Sequence, residues 1–198
     1  MFLCLDLGNV IFDIIPISEF PEIQFPHLEV RRILDNTNGL MDVGLIDLKG
    51  ALSIYGLNEP SIIDAWNKSV VPNEKMVNWI ASLKQVDVKI AILSNIGIDH
   101  VNYIKEICPT LFDDCALHLS CEVGAQKPSK IYYQSFLMQH PEFKGSFYLD
   151  DREENCHSGK EFGLNSIQFD LKKFNFKNSI EQNNYLSQLS QKIFKFSW

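Results

Sequence analysis

The chain lacks the features that mark several large protein classes. Its five cysteines, Cys4, Cys108, Cys115, Cys121 and Cys156, are odd in number and scattered, with no Cys-x-x-Cys pair. That excludes a zinc ribbon and a dithiol redox centre and points to reduced thiols in a cytoplasmic setting. Basic residues are in deficit: 18 Lys and Arg face 25 Asp and Glu, a net charge of −7, with a pI near 5.2. This balance argues against nucleic acid or anionic membranes as general partners. Long apolar runs are missing too. The stretch from Phe2 to Ile15 has no basic leader and is interrupted by Asp6 and Asp13, so it reads neither as a signal peptide nor as a membrane span. His100, His140 and His157 show no metal-ligand spacing and read as loop or surface residues. No internal repeat or low-complexity stretch is visible.

What is present suits one core domain with a modest insertion: 198 residues, 45% hydrophobic and 22% charged, enough to bury a core without disulfides. Phe2 to Leu7 and Val88 to Ser94 are nearly continuous apolar runs, as expected of central parallel strands covered on both faces. Ala116–Ser120, Ser146–Asp150 and Ser166–Phe169 read as further strands. Between them, Met76, Val77, Ile80 and Leu83 recur at helical spacing after Pro72 and Asn73. Tyr133, Phe136 and Leu137 do the same behind Pro128 and Ser129, which suit a helix opening. Strands alternating with helices predict a three-layer α/β fold with a parallel, Rossmann-like sheet.

Residues 16–71 break the alternation. They hold no convincing strand pair and read as short helices broken at Gly39, Gly44, Gly56 and Pro60. An insertion directly after the first strand lies over the carboxyl ends of a parallel sheet, where such sheets bind ligands. The expected division is a core of residues 1–15 and 72–198 with a small helical cap of 16–71. The tail is expected to close the core with one helix, against which Phe169, Phe174 and Phe176 pack.

Four short constellations carry chemistry. Leu5-Asp6-Leu7-Gly8-Asn9-Val10 places a carboxylate at a strand end, followed by a glycine turn that admits close backbone approach. Ile92-Leu93-Ser94-Asn95 ends another strand in a hydroxyl and an amide, both able to bind phosphate oxygens. Gln126-Lys127-Pro128-Ser129 sets a lysine at a helix entrance, which suits an anion shared with the helix amides. Tyr148-Leu149-Asp150-Asp151, with Asn155 a helical turn on, ends a strand in two adjacent acids. Such a pair repels itself unless a cation compensates, and oxygen ligands of this kind suit Mg2+. Taken singly, each has a plain structural reading as a turn, a cap or a loop lysine.

In this order, the four resemble the signature of the haloacid-dehalogenase superfamily: Asp6, then Ser94, then Lys127, then Asp150-Asp151. The first motif is similar to a bacterial branch reading Asp-Leu-Gly-Asn-Val, which includes sugar-phosphate phosphatases such as an α-D-glucose-1-phosphate phosphatase. Gly44-Leu-Ile-Asp47 and Ala65-Trp-Asn67 look like that branch's cap turn and Trp-Asn pair. The resemblance implies a phosphatase of small phosphorylated metabolites that forms an aspartyl-phosphate on Asp6. It implies Mg2+ held by Asp6, the Gly8 carbonyl and Asp151, and phosphate contacts from Ser94, Asn95, Lys127 and Asn9. Asp150 and Asn155 would stand behind them as orienting groups. One departure matters: most phosphatases of the superfamily carry an acid-base aspartate where this chain has Gly8. Asp13 is the substitute expected from sequence, with a turn residue as the other reading. Two alternatives follow: a catalytically impaired protein that binds a phosphorylated ligand or a protein partner, and a metal-free 2-haloacid dehalogenase.

Overall fold

A computed structural model describes residues 1–16, 19–20, 27–57, 60–172 and 179–194. Five strands, β1 (Phe2–Leu5), β4 (Lys89–Ser94), β5 (Cys115–Leu119), β6 (Phe147–Asp150) and β7 (Asn165–Gln168), form one sheet. Their order is β5-β4-β1-β6-β7, and every pairing is parallel. The chain builds outward from β1 through β4 to β5, then crosses back to lay β6 on the other side of β1. The strand order therefore reverses at β1–β6, the switch point where such sheets bind ligands.

Alternation along each strand sends side chains to two separate cores, which is why these runs are apolar throughout. Leu3, Leu5, Ile90, Ile92 and Leu149 join one cluster with α4 (Glu74–Gln85), α5 (Ile98–Ile107) and α9 (Ser179–Phe194). Cys4, Ala91, Leu93 and Tyr148 face the other, under Tyr132, Tyr133 and Phe136 of α7 (Lys130–Gln139). Helix α4 starts where Asn73 accepts from the Met76 amide at 3.3 Å and buries Met76, Trp79, Ile80 and Leu83 at helical spacing. Phe169 is buried against Tyr185 of α9, with ring centroids 6.0 Å apart; Phe174 and Phe176 lie outside the described residues. Among the described residues, no helix is long and apolar enough to cross a membrane.

Among the described residues of 16–71 the chain makes three helices, α1 (His27–Asp42), α2 (Leu48–Ile54) and α3 (Pro60–Lys68). They share a core of their own that includes Val30, Ile33, Met41, Leu52 and Ile62. Two expectations need correction here. Gly39 does not break a helix, because α1 runs through it to Asp42; a single glycine costs about 1 kcal/mol, which the buried face of α1 outweighs. The segment also contains a strand. β3 (Val70–Pro72) pairs antiparallel with β2 (Phe12–Ile14), forming a two-stranded ribbon at the root of the insertion. It was missed because three residues are too few for a readable alternation.

Candidate active site

Asp6 sits just past the end of β1, where its amide donates to the Leu149 carbonyl at 2.9 Å and so extends the ladder to β6. The chain then turns sharply: the amides of Val10, Ile11 and Phe12 all point at the Leu7 carbonyl, and Asn9 adopts a left-handed φ of 53°. This turn leaves Asp6, Gly8 and Asn9 facing a cavity of about 260 Å3 at the carboxyl end of the sheet.

Lys127 organises the floor. Its side chain is 1% exposed, and its ammonium donates to the Leu93 carbonyl at 2.7 Å and to Asp150 Oδ2 at 2.6 Å, with Asp6 Oδ1 3.0 Å away. Burial opposes the charged lysine, but Asp150 and Asp6 outweigh it and hold the ammonium protonated far above its ordinary range. As its place in the sequence suggested, the lysine stands at the entrance to α7. It lies three residues before α7, and the anions it meets are the two carboxylates. Asn95 fixes its backbone from both sides. The Asn95 amide donates to the Lys127 carbonyl and its oxygen accepts from the Lys127 N–H, each at 2.8 Å. The side chain of Asn95 therefore positions the lysine rather than pointing at a ligand. Ser94 is buried at the cavity wall.

The two acids after β6 differ in environment. Asp150 is fully buried and crowded by donors: Lys127, the Tyr148 hydroxyl, the Arg152 amide at 2.9 Å and the Asn155 amide group at 3.0 and 3.2 Å. Burial opposes its ionisation, yet these groups hold its pKa below the ordinary value. With its lone pairs so occupied, Asp150 orients Lys127 and is a poor metal ligand. Asp151 faces the cavity, accepts from Asn9 Nδ2 at 2.9 Å, and is pushed upward by burial. Burial likewise pushes Asp6 up to about 7 against the pull of Lys127.

Oxygens of Asp6, Asp150 and Asp151 lie within 4.8 Å of one another, three carboxylates to one ammonium. Such a floor repels a phosphate until a cation joins it. The donor chemistry fits a hard divalent ion such as Mg2+. The Asn9 side-chain oxygen is buried beside Asp151 without a hydrogen-bond partner, a further oxygen left unsatisfied at this spot.

Asp13 is not brought to the cavity. It lies on β2 with its carboxylate 3.5 Å from the Asn73 amide, and it is the next residue, Ile14, that lines the wall. Conversely, several lining residues were not anticipated. Asn38, Met41 and Asp42 descend from α1, and Arg152 follows the paired acids. His100 is not a surface residue: its ring stacks on Trp66 with centroids 4.6 Å apart, and it contacts the Trp66 carbonyl at 2.7 Å. Burial lowers its pKa in the seam between α3 and α5.

No protein-family model matches the chain, and no curated protein matches its sequence. Solved structures do match its fold. A haloacid-dehalogenase-family enzyme from Bacteroides thetaiotaomicron, in complex with magnesium and inorganic phosphate, is 23% identical with a TM-score of 0.69, over 84% of this chain and 92% of that one. A predicted HAD-like family hydrolase from Porphyromonas gingivalis is 18% identical with a TM-score of 0.69, over 93% and 96%. The L-2-haloacid dehalogenase of Xanthobacter autotrophicus, with chloropropionic acid covalently bound, is 15% identical with a TM-score of 0.59, over 93% and 87%. The chain thus has the haloacid-dehalogenase fold.

Proposed function

We propose that this chain is a Mg2+-dependent phosphatase of small phosphorylated metabolites, with Asp6 as the nucleophile. One observation carries the reading: at the switch point, a buried lysine holds the Asp6 carboxylate at 3.0 Å beside a cluster of further acids that calls for a divalent cation. The complex of the Bacteroides relative with magnesium and phosphate supports it. A dehalogenase needs no metal, which leaves the acid cluster without a purpose.

Asp6, Asp151 and the Gly8 carbonyl would hold the ion. Bound there, Mg2+ would neutralise the carboxylates and withdraw charge from the phosphoryl group. The protein's own part begins with Lys127, which keeps one Asp6 oxygen fixed and aims the other at phosphorus. In-line attack by that oxygen displaces the ester oxygen and leaves an aspartyl-phosphate, which water then hydrolyses. Lys127 and Ser94 stabilise charge on the transferring group, and Asp150 with Asn95 keeps the lysine in place. A cavity of about 260 Å3 accommodates a small ester, and sugar phosphates are favoured by the motif resemblance.

The test is phosphate release from a panel of sugar phosphates, nucleotides and a chromogenic ester, with Mg2+ and with chelator. Metal-dependent release that disappears in Asp6→Asn is expected. Folded protein that releases nothing above that variant would overturn the reading and leave a ligand-binding protein, the outcome that Gly8 favours. Chloride release from 2-haloacids that survives the chelator would indicate the dehalogenase.

A further inference from the structure

The phosphatase reading leaves a chemical gap. An ester oxygen must be protonated as it leaves, and Gly8 carries no acid. Among the described residues, four acids line the cavity: Asp6, Asp42, Asp99 and Asp151. Asp6 and Asp151 belong to the cluster on the floor. Asp99 accepts the Leu48 amide at 2.8 Å, and so ties the start of α2 to the core. Asp13 lies against Asn73 instead, and the side chain of Glu154 pairs with Arg152. Asp42 remains.

Its position is well fixed. Asp42 is the last residue of α1, and its Oδ2 accepts from Asn38 one turn earlier at 3.1 Å. Two residues after it, Gly44 has φ +73°, and a Cβ there would stand 2.1 Å from the Cys121 carbonyl oxygen. Only a glycine permits that approach. On the facing loop, a Cβ at Gly97 would already touch Met41. The insertion therefore docks on the core through this turn and holds Asp42 over the floor of the cavity. The charged and titratable groups that face Asp42 are Arg152 and Lys127, together with the Cys121 thiol of α6 (Ser120–Val123).

We propose that Asp42 is the general acid and base of this site, a reading that rests on the phosphatase assignment. In the first half-reaction an Asp6 oxygen bonds to phosphorus and the bond from phosphorus to the ester oxygen breaks. Its electron pair stays on that oxygen, which takes the Asp42 proton and departs as a neutral alcohol. In the second half, water attacks phosphorus and gives a proton to the Asp42 carboxylate. The Asp6–phosphorus bond breaks with its electrons returning to Asp6, and phosphate leaves with Asp42 protonated again. The environment suits the task. Burial lifts the Asp42 carboxyl to about 6, with Arg152 and Lys127 restraining it, and the helix C-terminus disfavours the carboxylate further. An acid-base group works best with its pKa near the operating pH.

The experiment compares the wild type with Asp42→Asn on an alkyl phosphate and on p-nitrophenyl phosphate, whose leaving group departs readily as the anion. For the alkyl ester, kcat/KM should fall about a hundred- to ten-thousand-fold, and the decline at high pH seen in the wild type should vanish. For the aryl ester, kcat/KM should hold within a few-fold. Release of nitrophenolate should then show a burst of one equivalent followed by slow turnover, because the second half-reaction has lost its base. An equal loss of kcat/KM on both esters, or a loss in Asp13→Asn instead, would overturn the proposal. If the wild type hydrolyses neither ester, the phosphatase assignment fails and this proposal falls with it.

Discussion

An ionised carboxylate held half-buried at the C-terminal end of a helix costs stability, and Asp42 makes that cost measurable without any assay of activity. Raising its pKa from 3.8 to about 6 corresponds to about 3 kcal/mol, at about 1.36 kcal/mol per pH unit. The sign follows from proton counts. Between those two values the native state holds the Asp42 proton more tightly than the unfolded chain, so wild-type stability falls as pH rises through the window. Asp42→Asn replaces the carboxylate with a neutral amide of the same shape that does not titrate. The variant should match the wild type below about pH 3 and exceed it by up to about 3 kcal/mol above pH 7, a large part of the roughly 5–15 kcal/mol typical of a domain. Urea denaturation followed by the fluorescence of Trp66 and Trp79 measures both proteins at each pH, in chelator so that no metal contributes. Asp6 and the other shifted groups are common to both proteins and cancel in the difference. A difference that does not change with pH, or a variant less stable than the wild type at neutral pH, would refute the electrostatic reasoning.

Two further substitutions probe the remaining geometry. Asn95→Ala removes both 2.8 Å bonds that clamp the Lys127 backbone and should cost about 2–3 kcal/mol; turnover should drop more than KM rises, measured by urea midpoint and steady-state kinetics. Gly8→Asp should fold, because a Cβ there meets only Ile14 at 3.5 and 3.6 Å. Placed in the Asp42→Asn background, it should restore alkyl-phosphate hydrolysis by at least about tenfold toward the wild-type rate, a modest share of what general acid catalysis supplies; no recovery with the fold intact would show that position 8 cannot reach the leaving oxygen.

The sheet was legible because its signal is redundant. Each buried strand is apolar on both faces, so β1, β4 and β6 stood out from composition alone, and the helices between them repeated at the expected spacing. What the sequence showed poorly were features whose stabilisation comes from elsewhere. The β2–β3 ribbon consists of two three-residue strands held by each other rather than by a periodic face. Gly39 looked like a break because propensity argues locally, whereas α1 is held by Val30, Ile33, Leu34 and Met41 packing against α2 and α3.

The site divides along the same line. Asp6, Ser94, Lys127, Asp150 and Asp151 were readable because each ends a strand or precedes a helix, and at such boundaries a polar residue after an apolar run stands out. Even there, sequence assigned Asn95 to the phosphate, because the partner it actually grips, the Lys127 backbone, lies 32 residues away. Asn38 and Asp42 belong to a helix, where a polar residue is ordinarily a solvated one, and the docking of α1 through Gly44 onto Cys121 turns them inward, while the Trp66–His100 stack joins two helices through residues 34 apart. A faint signal was nevertheless present. Asp42 ends a helix with no basic residue in its last turn, against the preference of the helix dipole, two residues before a glycine that must adopt positive φ. An acid placed where it destabilises its own helix, at the end that reaches the core, is better explained by the chemistry below it than by the helix itself. On that proposal the insertion would supply the proton donor as well as line the cavity, and the proposed chemistry would depend on α1 keeping its docked position.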